Sequence, residues 1–205
     1  MKSSEPFWRT TLIRGAIALF AGSLIPLIPD VAITRLRYPL AVVLTMVGLA
    51  GYGIVDSVLV FVTSYMTTSR MAQIALRIQG VAGLSVGSLL IWMSVDYVQM
   101  SWFIILIAIQ SLSAAIGELV VARHSKTVAA SHWNLAAACI AFGFSCTYVY
   151  ILFGRTPQMI LLRISWLVFG YLIAFGFAQC LTAARMLAAD DHIELRRAQA
   201  HAQGA

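Results

Sequence analysis

Of 205 residues, 60% are of apolar type and only 11% are Asp, Glu, Lys or Arg. Soluble chains carry roughly a quarter charged residues, so the composition excludes an ordinary water-soluble domain and makes the bilayer the natural solvent. The net charge of +6 is spread over basic residues standing singly or in pairs between apolar runs, the pattern of membrane topology rather than of a nucleic-acid surface.

Taken in chain order, Lys2 and Arg9 precede a first apolar run as they would in a secretion signal. Arg14 interrupts that run and no convincing small-residue cleavage site follows, so it is expected to stay as the first membrane helix. Six apolar segments, near 10–28, 39–65, 74–95, 101–122, 132–153 and 159–187, are expected to span a hydrocarbon core that takes about 20 helical residues. They show no alternation of period two, which argues against strands. Pro26 and Pro29 end or kink the first helix, and Arg35-Leu36-Arg37-Tyr38 leads into the second. Later links are short and polar, at Thr67-Thr68-Ser69-Arg70, Val95-Asp96-Tyr97, Arg123-His124-Ser125-Lys126 and Gly154-Arg155-Thr156-Pro157, so sequence neighbours should run antiparallel. Residues 189–205 read as a polar tail, with Asp190-Asp191 able to cap a short helix.

Orientation follows from the basic residues. With the N-terminus inside, the cytoplasmic side collects Lys2, Arg9, Arg14, Arg70, Arg77, Arg123, Lys126, Arg185, Arg196 and Arg197, against Arg35, Arg37, Arg155 and Arg163 outside. Both termini are therefore expected in the cytoplasm. Trp8, Trp102, Trp133, Tyr38, Tyr65 and Tyr97 stand near helix ends, where aromatic belts form.

The segment Ile13–Leu24 returns as Ile78–Leu89. Gly15, Ala18 and Gly22 match Gly80, Gly83 and Gly87, and a fainter third copy places Ala136, Cys139 and Gly143 there. Such spacing makes a narrow helical stripe on which two backbones approach closely. The second helix of each pair echoes too. Gly51-Tyr52 with Val55-Asp56-Ser57 aligns with Gly170-Tyr171 and Ala174-Phe175-Gly176, while Ser113-Ala114-Ala115 stands at the corresponding place. The expected fold is all-α and integral to the membrane, with six transmembrane helices as three sequential hairpin repeats, about 8–66, 74–124 and 130–188, in a parallel pseudo-threefold bundle.

The carrying residues Arg14-Gly15, Gly22, Pro29, Tyr52-Gly53-Ile54-Val55-Asp56-Ser57 and the echoes Gly80, Gly87, Glu118, Tyr171 and Gly176 form a pattern that resembles the HdeD acid-resistance membrane protein family, over about residues 8 to 188. The resemblance implies a six-helix bacterial inner-membrane protein linked to acid resistance at high cell density, and brings no catalytic or ligand residue with it. The chain departs from the family pattern at Phe153-Gly154-Arg155, which lacks the usual preceding proline, and at Arg35-Leu36-Arg37, which lengthens the first connection.

Ionisable groups inside a membrane cost several kcal/mol unless paired or hydrated. Asp56 lies roughly 15 Å from the cytoplasmic end of its helix at 1.5 Å per residue. Glu118, Arg14 and Arg77 each sit about one turn from the same side. Arg14, Asp56, Arg77 and Glu118 are thus a candidate intramembrane charge network, either a proton- or anion-responsive site or two structural pairs, Arg14 with Asp56 and Arg77 with Glu118. Gln79, Gln110 and Gln179 add polar positions, with Val60, Glu118 and Gln179 in matching repeat places. Gly15, Ala18, Gly22, Gly80, Gly83, Gly87, Gly143 and Gly176 are the expected packing residues.

Cys139, Cys146 and Cys180 lie inside apolar runs with neither disulfide nor zinc spacing, and no zinc helix or phosphate loop occurs. His124, His132, His192 and His201 fall in loops or the tail, so haem is not expected. The expectation is a non-catalytic inner-membrane protein without metal or cofactor, supporting membrane or complex integrity under stress. Its partners would be lipids, further copies of itself or other membrane subunits, not nucleic acid. The alternatives are an accessory subunit of a larger membrane complex and a small proton or weak-acid channel or transporter.

Overall fold

Long apolar runs with proline only in the first turn fold as six helices: α1 (Glu5–Leu24), α2 (Tyr38–Met66), α3 (Arg70–Asp96), α4 (Met100–His124), α5 (Val128–Phe153) and α6 (Ile160–Gln203). The structure, a computed structural model, describes residues 5–25, 27, 38–96, 100–124, 128–153 and 160–203, and no strand occurs among them. Most of the first connection, with Pro26, Pro29, Arg35 and Arg37, lies outside the described residues, as do Lys2, Tyr97, Lys126 and Arg155.

Five helices, α2 to α6, are long and apolar enough to cross a membrane. The sixth expected span, α1, has the length, at 20 residues, but Glu5, Arg9 and Arg14 lower its apolarity. Where α1 differs is that its arginine is used inside the protein. Large apolar side chains such as Phe20, Ile78, Trp92 and Phe153 face outward around the bundle, a surface suited to acyl chains rather than water.

The helix ends follow local chemistry. Between α2 and α3 only Thr67, Thr68 and Ser69 intervene; Gln73 N donates to Ser69 O at 2.9 Å and Gln73 Nε2 to Thr67 O at 2.6 Å. So short a link makes α2 and α3 antiparallel. At the other end, α6 runs 44 residues without a break, past the boundary expected at residue 189. Asp190-Asp191 therefore does not start a separate helix. The stretch to Gln203 repeatedly uses Ala, Arg and Gln, strong helix formers, and holds neither Gly nor Pro.

The helices close into a ring in which each packs on the next and α6 returns to α1. The most extensive packing joins α4 to α5, α2 to α3 and α1 to α6, ahead of α1–α2, α3–α4 and α5–α6. The tightest pairs thus fall between the expected hairpin repeats rather than between the two arms of one. Small residues explain why. A Cβ on Gly15 would sit 2.8 Å from Gly176 O, and one on Gly176 would sit 2.8 Å from Gly15 O. Gly22 lies against Leu172 farther along, so α1 and α6 are antiparallel with their backbones nearly touching. In α3, Gly80 meets Phe61, Gly83 meets Ser57 and Gly87 meets Ile54, all on α2. No described glycine has positive φ, so proximity and not backbone conformation is what demands them.

Ala18 is fully buried, as the stripe requires. The third copy is corrected. Gly143 is exposed, with nothing within 4 Å of its Cβ position, and Cys139 is exposed as well. The small residues α5 buries include Ala138, Ala141 and Ser145, with Ser145 Oγ donating to Ala108 O at 3.0 Å. They have the same spacing two residues later, and two residues are about 200° around a helix. The expected stripe is therefore on the outward face.

The main core gathers Met46, Phe103, Tyr148, Leu172 and Phe175, with Tyr171 packed on Phe144 and Phe175 at ring separations of 5.5 and 5.6 Å. Because the Gly15–Gly176 contact is backbone on backbone, Gly176→Ala should cost about 1–3 kcal/mol by overpacking. Gly143→Ala should leave stability unchanged. Thermal unfolding of both purified variants in detergent, followed by circular dichroism, checks the contrast.

Candidate functional site

Three charged side chains meet at the centre of the ring. Arg14 of α1 shares its inward face with Thr10 and Ala18, Asp56 of α2 with Tyr52 and Val60, and Glu118 of α4 with Ala114 and Val121. Arg14 Nε donates to Asp56 Oδ1 at 2.9 Å and Nη2 to Oδ2 at 3.5 Å, a two-pronged grip. Arg14 Nη1 donates to Glu118 Oε1 at 3.1 Å. Exposures of 3%, 5% and 2% for Arg14, Asp56 and Glu118 place the whole cluster out of contact with solvent, and they are the only buried charged side chains among the described residues. A planar guanidinium with five donors suits this forked task, whereas an ammonium could only act as a point charge.

The cluster ties α1 and α2, neighbours in the ring, to α4 across it. Desolvating ionised groups is expensive, and leaving one of them buried without its partner is worse, at about 3–5 kcal/mol. Arg14 therefore holds α1 in place although that helix alone falls short of the apolarity of a membrane span.

Arg77 does not belong to the cluster. It is exposed and lies over the Tyr65 ring, 5.0 Å from its centroid, so Glu118 pairs with Arg14 instead. The physical reason is the face of α3. Ala72, Leu76, Gln79 and Gly83 turn inward, and residue 77 is about 100° beyond residue 76. The echo of Ile13-Arg14-Gly15 in Ile78-Gln79-Gly80 puts Gln79, not Arg77, at the place of Arg14.

A layer of amides surrounds the charges. Gln79 is 3% exposed and presses on Gly117, whose Cβ position it occupies; neither its Nε2 nor its Oε1 has a hydrogen-bond partner among the described residues. Gln179 of α6 lies beside Glu118, with its own Nε2 outside hydrogen-bond geometry of any described group. Gln110 sits at Gly83, its Oε1 likewise unpartnered. On the Asp56 side a cavity of about 20 Å³ is lined by Tyr52, Gly53, Asp56, Gln110 and Tyr171 together with apolar side chains. That is room for one water molecule. Ser57, next to Asp56, is satisfied locally, its hydroxyl donating to Gly53 O at 2.6 Å.

Sequence reasoning singled out the three glutamines but not Tyr148, fully buried with an unpartnered hydroxyl, or Asn134, 2% exposed with an unpartnered Nδ2. Asn134 was detectable as a lone amide near the start of an apolar run; Tyr148 was hidden among other aromatics. The cysteines are free, Cys180 half-buried beside Gly15 and the other two exposed. The chain matches no known protein family, no curated protein and no solved structure.

Arg14→Leu strands two buried carboxylates and should cost about 3–5 kcal/mol, whereas Arg77→Gln should leave stability within about 0.5 kcal/mol of the parent, as exposed substitutions do. Parallel unfolding of the two variants in detergent measures the difference.

Proposed function

We propose that the chain is a non-catalytic, multi-pass protein of the bacterial inner membrane, with six transmembrane helices in three hairpins about a pseudo-threefold axis and both termini in the cytoplasm. In keeping with its resemblance to the HdeD acid-resistance family, its task is to support membrane or complex integrity under acid or other stress. The observation that carries this reading is the buried Arg14–Asp56–Glu118 cluster, which locks three helices together inside a shell of outward-facing apolar side chains. The neighbouring cavity holds about one water and is too small for a weak acid, which favours a packed bundle over a transporter.

Two further features support the threefold arrangement. Val60, Glu118 and Gln179, in matching places, are all at most 2% exposed. Tyr52, Gln110 and Tyr171, each eight residues ahead of them, all line the cavity beside Asp56. For α1, crossing the membrane is consistent with an arginine neutralised inside the protein and an antiparallel run along α6. The excess of basic residues on the side of both termini supports the orientation.

The accessory-subunit reading draws on α5. Its membrane segment is the least buried, at 28%, and presents Leu135, Phe142, Val149 and Tyr150 outward, where a partner helix could pack in place of lipid. Mass measurement after purification in a gentle detergent separates a lone chain, a homo-oligomer and a subunit with stoichiometric partners.

For the main reading, cells of a bacterial host making the chain should survive acid challenge at high density better than cells making Arg14→Leu at the same membrane level. Equal survival would remove the stress role. Reporters active only in the cytoplasm should work at both ends of the chain; a silent one at either end would overturn the topology.

A further inference from the structure

The central cluster does not balance. One guanidinium faces two carboxylates, and among the described residues no other charged side chain is buried with them. Every element around it offers neutral groups. Tyr52 comes from α2, Gln79 from α3, Gln110 from α4, and Tyr171, Gln179 and Cys180 from α6. On α5, Tyr148 meets Phe144, which in turn meets Tyr171. Arg77, the cation expected to join the cluster, is exposed and engaged with Tyr65. With both acids ionised, a net negative charge would be held in a dry interior, where each uncompensated ion costs several kcal/mol.

The two carboxylates are not equivalent. Asp56 takes both prongs of the guanidinium, at 2.9 and 3.5 Å, whereas Glu118 receives a single bond at 3.1 Å through Oε1. Against Gly117, the residue before Glu118 in α4, the Oε1 of Gln79 is a buried acceptor without a donor among the described residues. We propose that the bundle interior is a proton-binding site, in which Glu118 carries one proton on its Oε2 at neutral pH so that Arg14, Asp56 and Glu118 are together neutral. The proton comes from solvent as the chain folds, and an O–H bond forms on the carboxylate while its Oε1 keeps the bond from Arg14. Asp56 stays ionised as the true counter-ion. This rests on the interior being dry, as in the membrane reading above, and gives the stress role a titratable centre.

Infrared spectroscopy of the full chain in lipid nanodiscs at neutral pH tests it directly. The wild type should show a protonated-carboxyl carbonyl band that shifts when glutamate, and not aspartate, is carbon-13 labelled. Glu118→Gln should lose the band and unfold at the same temperature as wild type, because a neutral amide replaces a neutral acid. Asp56→Asn should lose it too, since Glu118 then becomes the sole counter-ion of Arg14. A wild-type spectrum without the band, a band that follows labelled aspartate, or stabilisation by sodium but not by choline would each overturn the proposal, the last assigning the compensating charge to a metal cation. If either variant fails to fold, the labelled wild-type spectra still decide. Protonation is read without reference to survival, so failure here and failure of the stress role are distinguishable.

Discussion

The constraint on which the structure turns is the cost of keeping an arginine away from water. Arg14 sits on a helix that would otherwise be poorly suited to an apolar surrounding, and the low dielectric of the interior makes its two partners strongly attractive. An unpaired guanidinium would pull α1 toward solvent. Paired as it is, it draws α1 against α2 and toward α4, and the ring can close through α6.

Closure then depends on how near two backbones can come. At Gly15 and Gly176 a carbonyl of each helix occupies the space a side chain would need on the other, so the approach is available to glycine alone. In α3 the three glycines accept Phe61, Ser57 and Ile54 of α2 in the same manner. Lipid tails are as apolar as the side chains that face them, so helix association in a membrane relies on such packing and on interhelical polar contacts. Both are present here, glycine contacts between neighbouring helices and the charge cluster across the centre.

Around that centre the polar groups are graded. Charges pair at the middle, Gln79, Gln110 and Gln179 with amide atoms that lack partners among the described residues surround them, and a water-sized cavity adjoins Asp56. An unpartnered buried amide costs about 1–3 kcal/mol. Several such groups close to one cluster set it apart from a bundle otherwise filled by aliphatic and aromatic side chains.

From the sequence alone, apolar runs of sufficient length determined the helices, the rarity of charge determined the solvent, and the spacing of Gly15, Ala18 and Gly22 against Gly80, Gly83 and Gly87 marked contact faces. These are local or periodic properties, readable one segment at a time. The direction of a helix face to within one residue was not readable in this way. Arg77 fell on the outer side of α3 and Gly143 on the outer side of α5, because a step of one or two residues turns a side chain by about 100° or 200°. Nor could the chain show that a single arginine would serve two acids, 42 and 104 residues away. That pairing, and the preference of α2 for α3, α4 for α5 and α1 for α6, depend on which surfaces meet when six rods close into a ring, and only the tertiary structure decides it.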